Sequence, residues 1–238
     1  MCGRFVATTP VAQLLSEFAI DGIDQRTERN AVLDPPRYNI APRSTISVVR
    51  QEGDRRVLSA FRWGLVPSWA KDLSIGDKLT NARAETLAEK PSFRAAFAKR
   101  RCIIPADGYY EWKRSAIDPK KKQPVYFTRR DGHPLAFAGL WEVWRDPANP
   151  EAVIRTTAII TTEPNAFASV VHSRMPAILE HDMIDDWLDS KHEVSEVRLL
   201  LQSAPEDVLN RWEVSTLVNR ASVDVPELIR PLEPDALF

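Results

Sequence analysis

Leu135-Ala-Phe-Ala-Gly-Leu-Trp-Glu-Val-Trp144 and Ile154-Arg-Thr-Thr-Ala-Ile-Ile-Thr161 are the stretches on which the fold class turns. Both are dense in β-branched and aromatic residues, the composition of strands. Shorter runs of the same kind lie at Thr45–Arg50, Val57–Trp63, Cys102–Ile104 and Val125–Arg129. Helical spacing of apolar residues is confined to Pro10–Ala19, Ser92–Lys99, His181–Leu188 and Ser195–Leu201. In the first of these Thr9 is the expected N-cap and Pro10 the first helical residue. Asp34–Arg43 holds three prolines and is expected to be irregular. Strands outnumber helices without βαβ alternation, which predicts an α+β fold with a central, largely antiparallel, barrel-like β-sheet and peripheral helices. No repeat, low-complexity tract or linker divides residues 1–238, so a single domain is expected.

Composition narrows the classes of function. The chain has 238 residues, 44% apolar and 27% charged, as in ordinary globular proteins. Eighteen prolines against eight glycines imply many fixed turns and few flexible linkers. No apolar run approaches the roughly eighteen residues of a membrane span, and no secretory signal is visible. Cys2 and Cys102 alone suggest neither a disulfide framework nor a zinc site, which fits a reducing cytosol. Neither metal-ligand spacing nor a nucleotide-binding glycine loop is present, so no cofactor is expected. The net charge of −1 conceals a polarity. Arg83 to Arg130 carries 13 Lys/Arg against 5 Asp/Glu, and Glu180 to Phe238 carries 5 against 14. The basic segment reads either as a phosphate-binding face or, more commonly for charge alone, as solvated surface. Lys120-Lys121-Lys122 reads as an exposed loop.

Cys2 follows the initiator Met directly. Removal of Met1, usual before a small side chain, leaves an α-amine and a thiol on one residue. Their unperturbed pKa values are about 7.7–8.0 and about 8.5, so both nucleophiles are accessible near neutrality. An aldehyde can condense with the amine to an imine, which the thiol closes into a five-membered thiazolidine. Gly3 permits close approach of a substrate. The bland alternative is a frayed terminal residue of no consequence.

Four further stretches combine polar and aromatic groups. In Trp63-Gly64-Leu65-Val66-Pro67-Ser68-Trp69 the tryptophans read as core, or Trp69, if exposed, as a base-stacking platform. In Asn81-Ala82-Arg83-Ala84-Glu85-Thr86, Asn81 can bond a sugar or the terminus and Arg83 a phosphate, or the stretch is a capped helix start. In Pro105 through Trp112, Glu111 between Tyr110 and Trp112 is either a desolvated acid–base group or a strand residue facing water. In His172-Ser173-Arg174-Met175-Pro176, His172 is a candidate proton carrier or a structural histidine.

Taken in order, Met-Cys-Gly-Arg-Phe, Tyr38-Asn39-Ile40-Ala41-Pro42, Trp63 to Pro67, Asn81 to Thr86, Cys102 to Trp112 and His172 to Pro176 resemble the SRAP (SOS response-associated peptidase) family over nearly the whole chain. The resemblance implies a compact barrel-like domain that crosslinks to ring-opened abasic sites in single-stranded DNA. It implies Cys2 as nucleophile, Asn81 holding the terminus and opened sugar, Glu111 as general acid/base and His172 assisting ring opening. It implies Arg4, Arg83 and Arg174 on phosphates, with Pro42 and Trp69 shaping the path of the bases. It further implies a monomer in the cytoplasm, nucleoid-associated in a bacterium, with weak lyase activity and slow reversal as side reactions.

Three other readings compete. Cys2-Gly3 also suits an N-terminal-nucleophile hydrolase of the glutamine amidotransferase kind, in which the thiol attacks an amide. A self-processing peptidase is the second, although a single Met needs only an aminopeptidase. The third is a single-stranded DNA-binding module with no covalent step. Cys102, in an apolar run, reads as a buried structural residue.

Overall fold

The computed structural model describes residues 2–26, 36–115, 118 and 121–233. Among them run fourteen strands: β1 (Arg4–Ala7), β2 (Gly22–Ile23), β3 (Arg37–Ile40), β4 (Thr45–Glu52), β5 (Arg55–Trp63), β6 (Asn81–Arg83), β7 (Arg101–Ala106), β8 (Gly108–Arg114), β9 (Lys122–Arg129), β10 (Leu135–Asp146), β11 (Asn149–Thr162), β12 (Met175–Pro176), β13 (Ile178–Leu179) and β14 (Leu209–Glu213). The α-helices are short: α1 (Val11–Glu17), α2 (Arg94–Lys99), α3 (Ala166–Ser169), α4 (Ile184–Leu188) and α5 (Val194–Arg198).

Strands β11, β10, β7, β4 and β5 lie side by side in that order, each neighbour antiparallel. The parallel contact of β5 with β11, Arg62 opposite Thr156 and Trp63 opposite Thr157, closes them into a five-stranded ring. Closure removes the open edges that a long apolar sheet otherwise exposes. The second sheet, in the order β14-β9-β8-β1-β3, is antiparallel throughout. The fold is therefore α+β and barrel-like, as expected.

Alternation along the strands divides the core. Val49, Leu58, Ile103, Ala138 and Ile160 face a layer built with Leu14, Phe18, Phe97 and Trp187 from the helices. Their neighbours Val48, Phe61, Cys102, Ile104 and Ile159 face the opposite way, packed with Phe5, Tyr109 and Phe127 of the second sheet. The far side of that sheet carries Val6, Tyr110 and Tyr126, covered by Val214, Val218 and Leu228.

All six β-rich runs are strands, each longer than the run at one or both ends. Two local expectations are corrected. Pro10 is itself the cap of α1, with extended backbone (φ −60°, ψ 146°), and its carbonyl accepts from Gln13 and Leu14. The Thr9 hydroxyl donates instead to Asp107 Oδ1, at 2.5 Å. Within 34–43, Arg37–Ile40 is a regular strand, because Phe5 pairs with Ile40 and Ala7 with Arg37. Pro36 and Pro42 bracket this strand; Asp34 and Pro35 lie outside the described residues. The stretch His181–Leu188 begins as a 3-10 turn over His181–Met183 before α4. Lys121 is exposed and Lys122 opens β9, while Lys120 lies outside the described residues.

Strand β8 is pressed against β9 at Gly108. A Cβ there would stand 2.3 Å from the Phe127 carbonyl oxygen and 2.4 Å from the Tyr126 ring. Gly108→Ala is expected to cost about 1–3 kcal/mol through overpacking, read as a lower denaturation midpoint in urea; unchanged stability would show that β8 tolerates displacement.

Candidate active site

Four elements bring Cys2, Asn81, Glu111 and His172 together. Cys2 is fully buried in the core layer shared with Phe5 and Tyr109. Its place follows from β1, which runs between β8 and β3 with Phe5 opposite both Tyr109 and Ile40. Asp107 secures the other end of β1, accepting from the Thr8 amide at 2.5 Å and the Thr9 amide at 3.0 Å. Asp107 has no counterpart among the sequence-derived candidates; its place in a tight Ala-Asp-Gly junction between two strands is the signal that marks it.

Asn81 lies on β6, aligned with Ile159 of β11. Its Nδ2 donates to the Cys2 carbonyl oxygen at 2.9 Å and to Thr80 Oγ1 at 3.2 Å. Its Oδ1 is buried without a hydrogen-bond partner among the described residues. The helix-start alternative for Asn81 is thus not what forms: a 3-10 turn over Ala84–Thr86 follows the strand, and Arg83 occupies the cap position.

Glu111 is 3% exposed, so it is a buried carboxyl and not a strand residue facing water. Its Oε2 stands 3.9 Å from His172 Nε2. His172 follows α3, where its amide donates to the Ala168 carbonyl. The Arg174 amide donates to His172 Nδ1 at 3.0 Å. A nitrogen that accepts carries no proton, so the neutral ring holds its proton on Nε2, toward Glu111. The Arg174 carbonyl lies 3.2 Å from the same Nδ1 and is the acceptor that the protonated ring requires. Both states of the imidazole therefore have a backbone partner.

Burial, with the negative charge of Glu111 adding to it, pushes the Cys2 thiol well above its ordinary range. The thiol is protonated at rest and becomes a nucleophile only as a base removes its proton. Cys102 is likewise fully buried and pushed up to about 12, near Thr157 Oγ1 at 3.7 Å, consistent with a structural residue.

Around this cluster the remaining candidates divide. Trp63 is fully buried and donates through Nε1 to the Thr80 carbonyl at 2.8 Å, while Trp69 is 59% exposed. The loop presenting Trp69 is fastened by hydrogen bonds and a close backbone contact. Trp144 Nε1 donates to the Ala70 carbonyl, the Val66 amide to Thr156 Oγ1, and Gly64 adopts φ +124° where its backbone meets that of Gly76. Arg83 is exposed, and Pro42 is half-buried. The Arg174 guanidinium is held by Glu85 at 2.6 and 3.0 Å and by the Thr161 carbonyl at 2.5 Å. Arg4 Nη1 donates to Asn39 Oδ1 at 2.8 Å and to the Val218 carbonyl at 3.1 Å. Arg4 and Arg174 thus have internal partners that a phosphate must displace. Two arginines of the basic segment turn inward. Buried Arg101 donates to the carbonyls of Trp187, Phe97, Ala98 and Asp189, and Arg100 pairs with Glu142.

A family profile described as SOS response associated peptidase (SRAP) matches residues 1–221, and the chain belongs to that family. Among its relatives is the abasic site processing protein YoqW of Bacillus subtilis, 42% identical over 231 residues, 96% of this chain and 99% of that one. Another is the abasic site processing protein HMCES of Gallus gallus, 33% identical over 98% of this chain and 78% of its own. A crystal structure of a Bacteroides thetaiotaomicron protein has the same fold, with a TM-score of 0.85 at 23% identity, covering 98% of this chain and 100% of that one.

Because Glu111 helps to hold the Cys2 thiol up, Glu111→Gln is expected to lower the thiol's pKa. Alkylation of Cys2 by iodoacetamide, followed by mass spectrometry of the N-terminal peptide, should then begin its rise at lower pH than in the parent. An unchanged pH profile would show that burial alone sets the thiol.

Proposed function

We propose that the protein processes abasic sites in single-stranded DNA by linking Cys2 covalently to the ring-opened sugar as a thiazolidine. The observation that carries this reading is the buried terminal cysteine, held through its carbonyl by Asn81 at 2.9 Å beside a Glu111–His172 pair 3.9 Å apart. The names of the curated relatives, abasic site processing proteins, support the choice of substrate.

On this reading Met1 is removed and the Cys2 α-amine is free. The closed hemiacetal of the abasic sugar opens when a base takes the proton of its hydroxyl and an acid protonates the departing ring oxygen. Glu111 and His172 fill these complementary roles. The amine adds to the aldehyde carbon, the hydroxyl so formed leaves as water, and an imine remains. The Cys2 sulfur then adds to the imine carbon. Its proton passes through Glu111 to the nitrogen, and the five-membered ring closes. The products are one thiazolidine and one water. An imine left open permits β-elimination and strand cleavage, so ring closure protects the strand and any lyase activity stays weak. Asn81 fixes the terminus, and its buried Oδ1 is an acceptor for the freed amine or a sugar hydroxyl.

Trp69 offers a face for base stacking, Pro42 shapes the adjoining wall, and Arg83 is placed to take a phosphate. Arg4 and Arg174 reach phosphates only by exchanging present partners. Residues 1–238 act as one domain, as a monomer in the cytoplasm, without metal or cofactor.

The Met-processed protein incubated with single-stranded DNA bearing one abasic site should give a slower band on a denaturing gel. Cys2→Ala abolishes it, and Cys2→Ser gives an adduct only when borohydride reduces the imine. No band from protein whose N-terminal cysteine is verified by mass spectrometry would overturn the proposal. Release of ammonia from glutamine would point to an amidotransferase instead.

A further inference from the structure

Tyr109 is wholly buried, and its hydroxyl has no hydrogen-bond partner among the described residues. Buried phenols normally find a partner. Its neighbour shows the contrast: Tyr110, on the opposite face of β8, donates to the Tyr38 carbonyl at 2.8 Å. The Tyr109 ring has no freedom to search. It stacks on Phe127 at 4.8 Å with 5° between the planes, and Phe137 meets its edge at 5.9 Å.

Three placements direct this hydroxyl to the active site. Tyr109 and Glu111 are two residues apart on one strand and share a face. Phe5, opposite Tyr109, carries the chain back to Cys2, and Cys2 packs in the same cluster as Tyr109. The titratable groups near enough to act on the phenol are Cys2, Glu111 and, from β14, Arg211. Arg211 lies 4.1 Å over the Phe167 ring, and its Nη1 is also buried without a partner among the described residues. Burial and the two acidic neighbours hold the phenol protonated far above its ordinary range, so it serves as a donor and not as a base.

We propose that Tyr109 is a further catalytic residue, whose hydroxyl donates a hydrogen bond to the aldehyde oxygen as the Cys2 amine adds to the carbon. The inference rests on the crosslinking chemistry proposed above. Asn81 Nδ2 is already engaged by the Cys2 carbonyl and His172 Nε2 faces Glu111, whereas Tyr109 Oη, on the face of β8 that carries Glu111, has no acceptor among the described residues and is a donor for that oxygen. In the addition step the amine lone pair forms the N–C bond and the C=O π pair moves onto oxygen. Tyr109 stabilises that developing charge and keeps its proton. The oxygen takes one proton from the nitrogen and a second from the Glu111–His172 pair, then leaves as water. A fixed, dry donor placed where charge develops needs no reorganisation during the step.

Tyr109→Phe preserves the stack on Phe127 and removes only the hydroxyl. With single-stranded DNA carrying one abasic site, the single-turnover rate of crosslinking is expected to fall on the order of 10²-fold. The rate of borohydride-trapped imine should fall by the same factor, since both follow the addition step. Affinity for the same DNA with an unreactive tetrahydrofuran site, read by fluorescence anisotropy, should not change. The Tm should hold or rise, because an unpartnered buried hydroxyl is lost. Parent-like rates in the variant, beside normal crosslinking in the parent, overturn the role of Tyr109 alone. Rates, affinity and Tm that fall together also overturn it, by showing a structural role. Absence of an adduct from the parent protein overturns the crosslinking reading itself, and this inference with it.

Discussion

A chain terminus stays ordered only where packing and backbone hydrogen bonds hold it, and here β1 lies inside a sheet, between β8 and β3. Everything at the site depends on that insertion. Phe5 wedges between the two sheets, with its ring 5.3 Å from Trp63 and 6.3 Å from Phe137. Arg4 faces the other way and ties β1 to Asn39 on β3. Asn39 Nδ2 in turn donates to the carbonyls of Val218, Arg220 and Val223, so the segment after β14 is fastened across the same sheet. Asp107 clamps the exit of β1 and, through its own carbonyl, accepts from Thr128 Oγ1 at 2.8 Å. These contacts are distant in sequence, and together they turn a terminus into a fixed internal position.

Fixing the terminus also dries it. A buried thiol beside a buried carboxyl is unfavourable to ionise, which is why Cys2 rests as the protonated form. The same exclusion of water makes each polar atom left unpartnered among the described residues consequential. Asn81 Oδ1, Tyr109 Oη and Arg211 Nη1 are three such atoms, and two of them belong to residues that flank Cys2 or Glu111 directly. A core selected for stability alone has no use for unsatisfied groups beside a buried thiol and carboxyl. A site that must receive a polar substrate and lose water does.

The sequence was most legible where chemistry or long periodicity spoke locally. The strands of the ring were readable because each is long and apolar enough to show its character. β1, β3, β6, β12, β13 and β14 were not, since two to five residues carry no period and their extended form is imposed by partners far along the chain. The terminal cysteine announced its chemistry, and Asn81, Glu111 and His172 were legible as residue types. Their proximity was not, because it arises from strand register and from the closing of β11 on β5 and β6. Arg4 and Arg174 were legible as residue types but not in their present partners. An arginine in a motif suggests a phosphate, and only the fold reveals Asn39 and Glu85 as present partners. Tyr109 was hidden among aromatic residues whose distinct faces no linear reading separates.

The internal commitment of these arginines bears on how a covalent mechanism operates. Non-covalent affinity for DNA scales with the phosphates neutralised, each released counterion adding to the binding constant. Arg101 is buried among backbone carbonyls, and Arg100, Arg129 and Arg174 sit on carboxylates. The chain as a whole carries a net charge of −1. On the proposed reading, stacking on Trp69 and a few cationic contacts supply only a weak, brief association with undamaged strands. Under the proposed chemistry that weakness is an advantage. Durability comes from a carbon–sulfur and a carbon–nitrogen bond that only an aldehyde can supply, so discrimination lies in the reaction and not in the prior equilibrium. On that reading intact strands, which offer no aldehyde, are released.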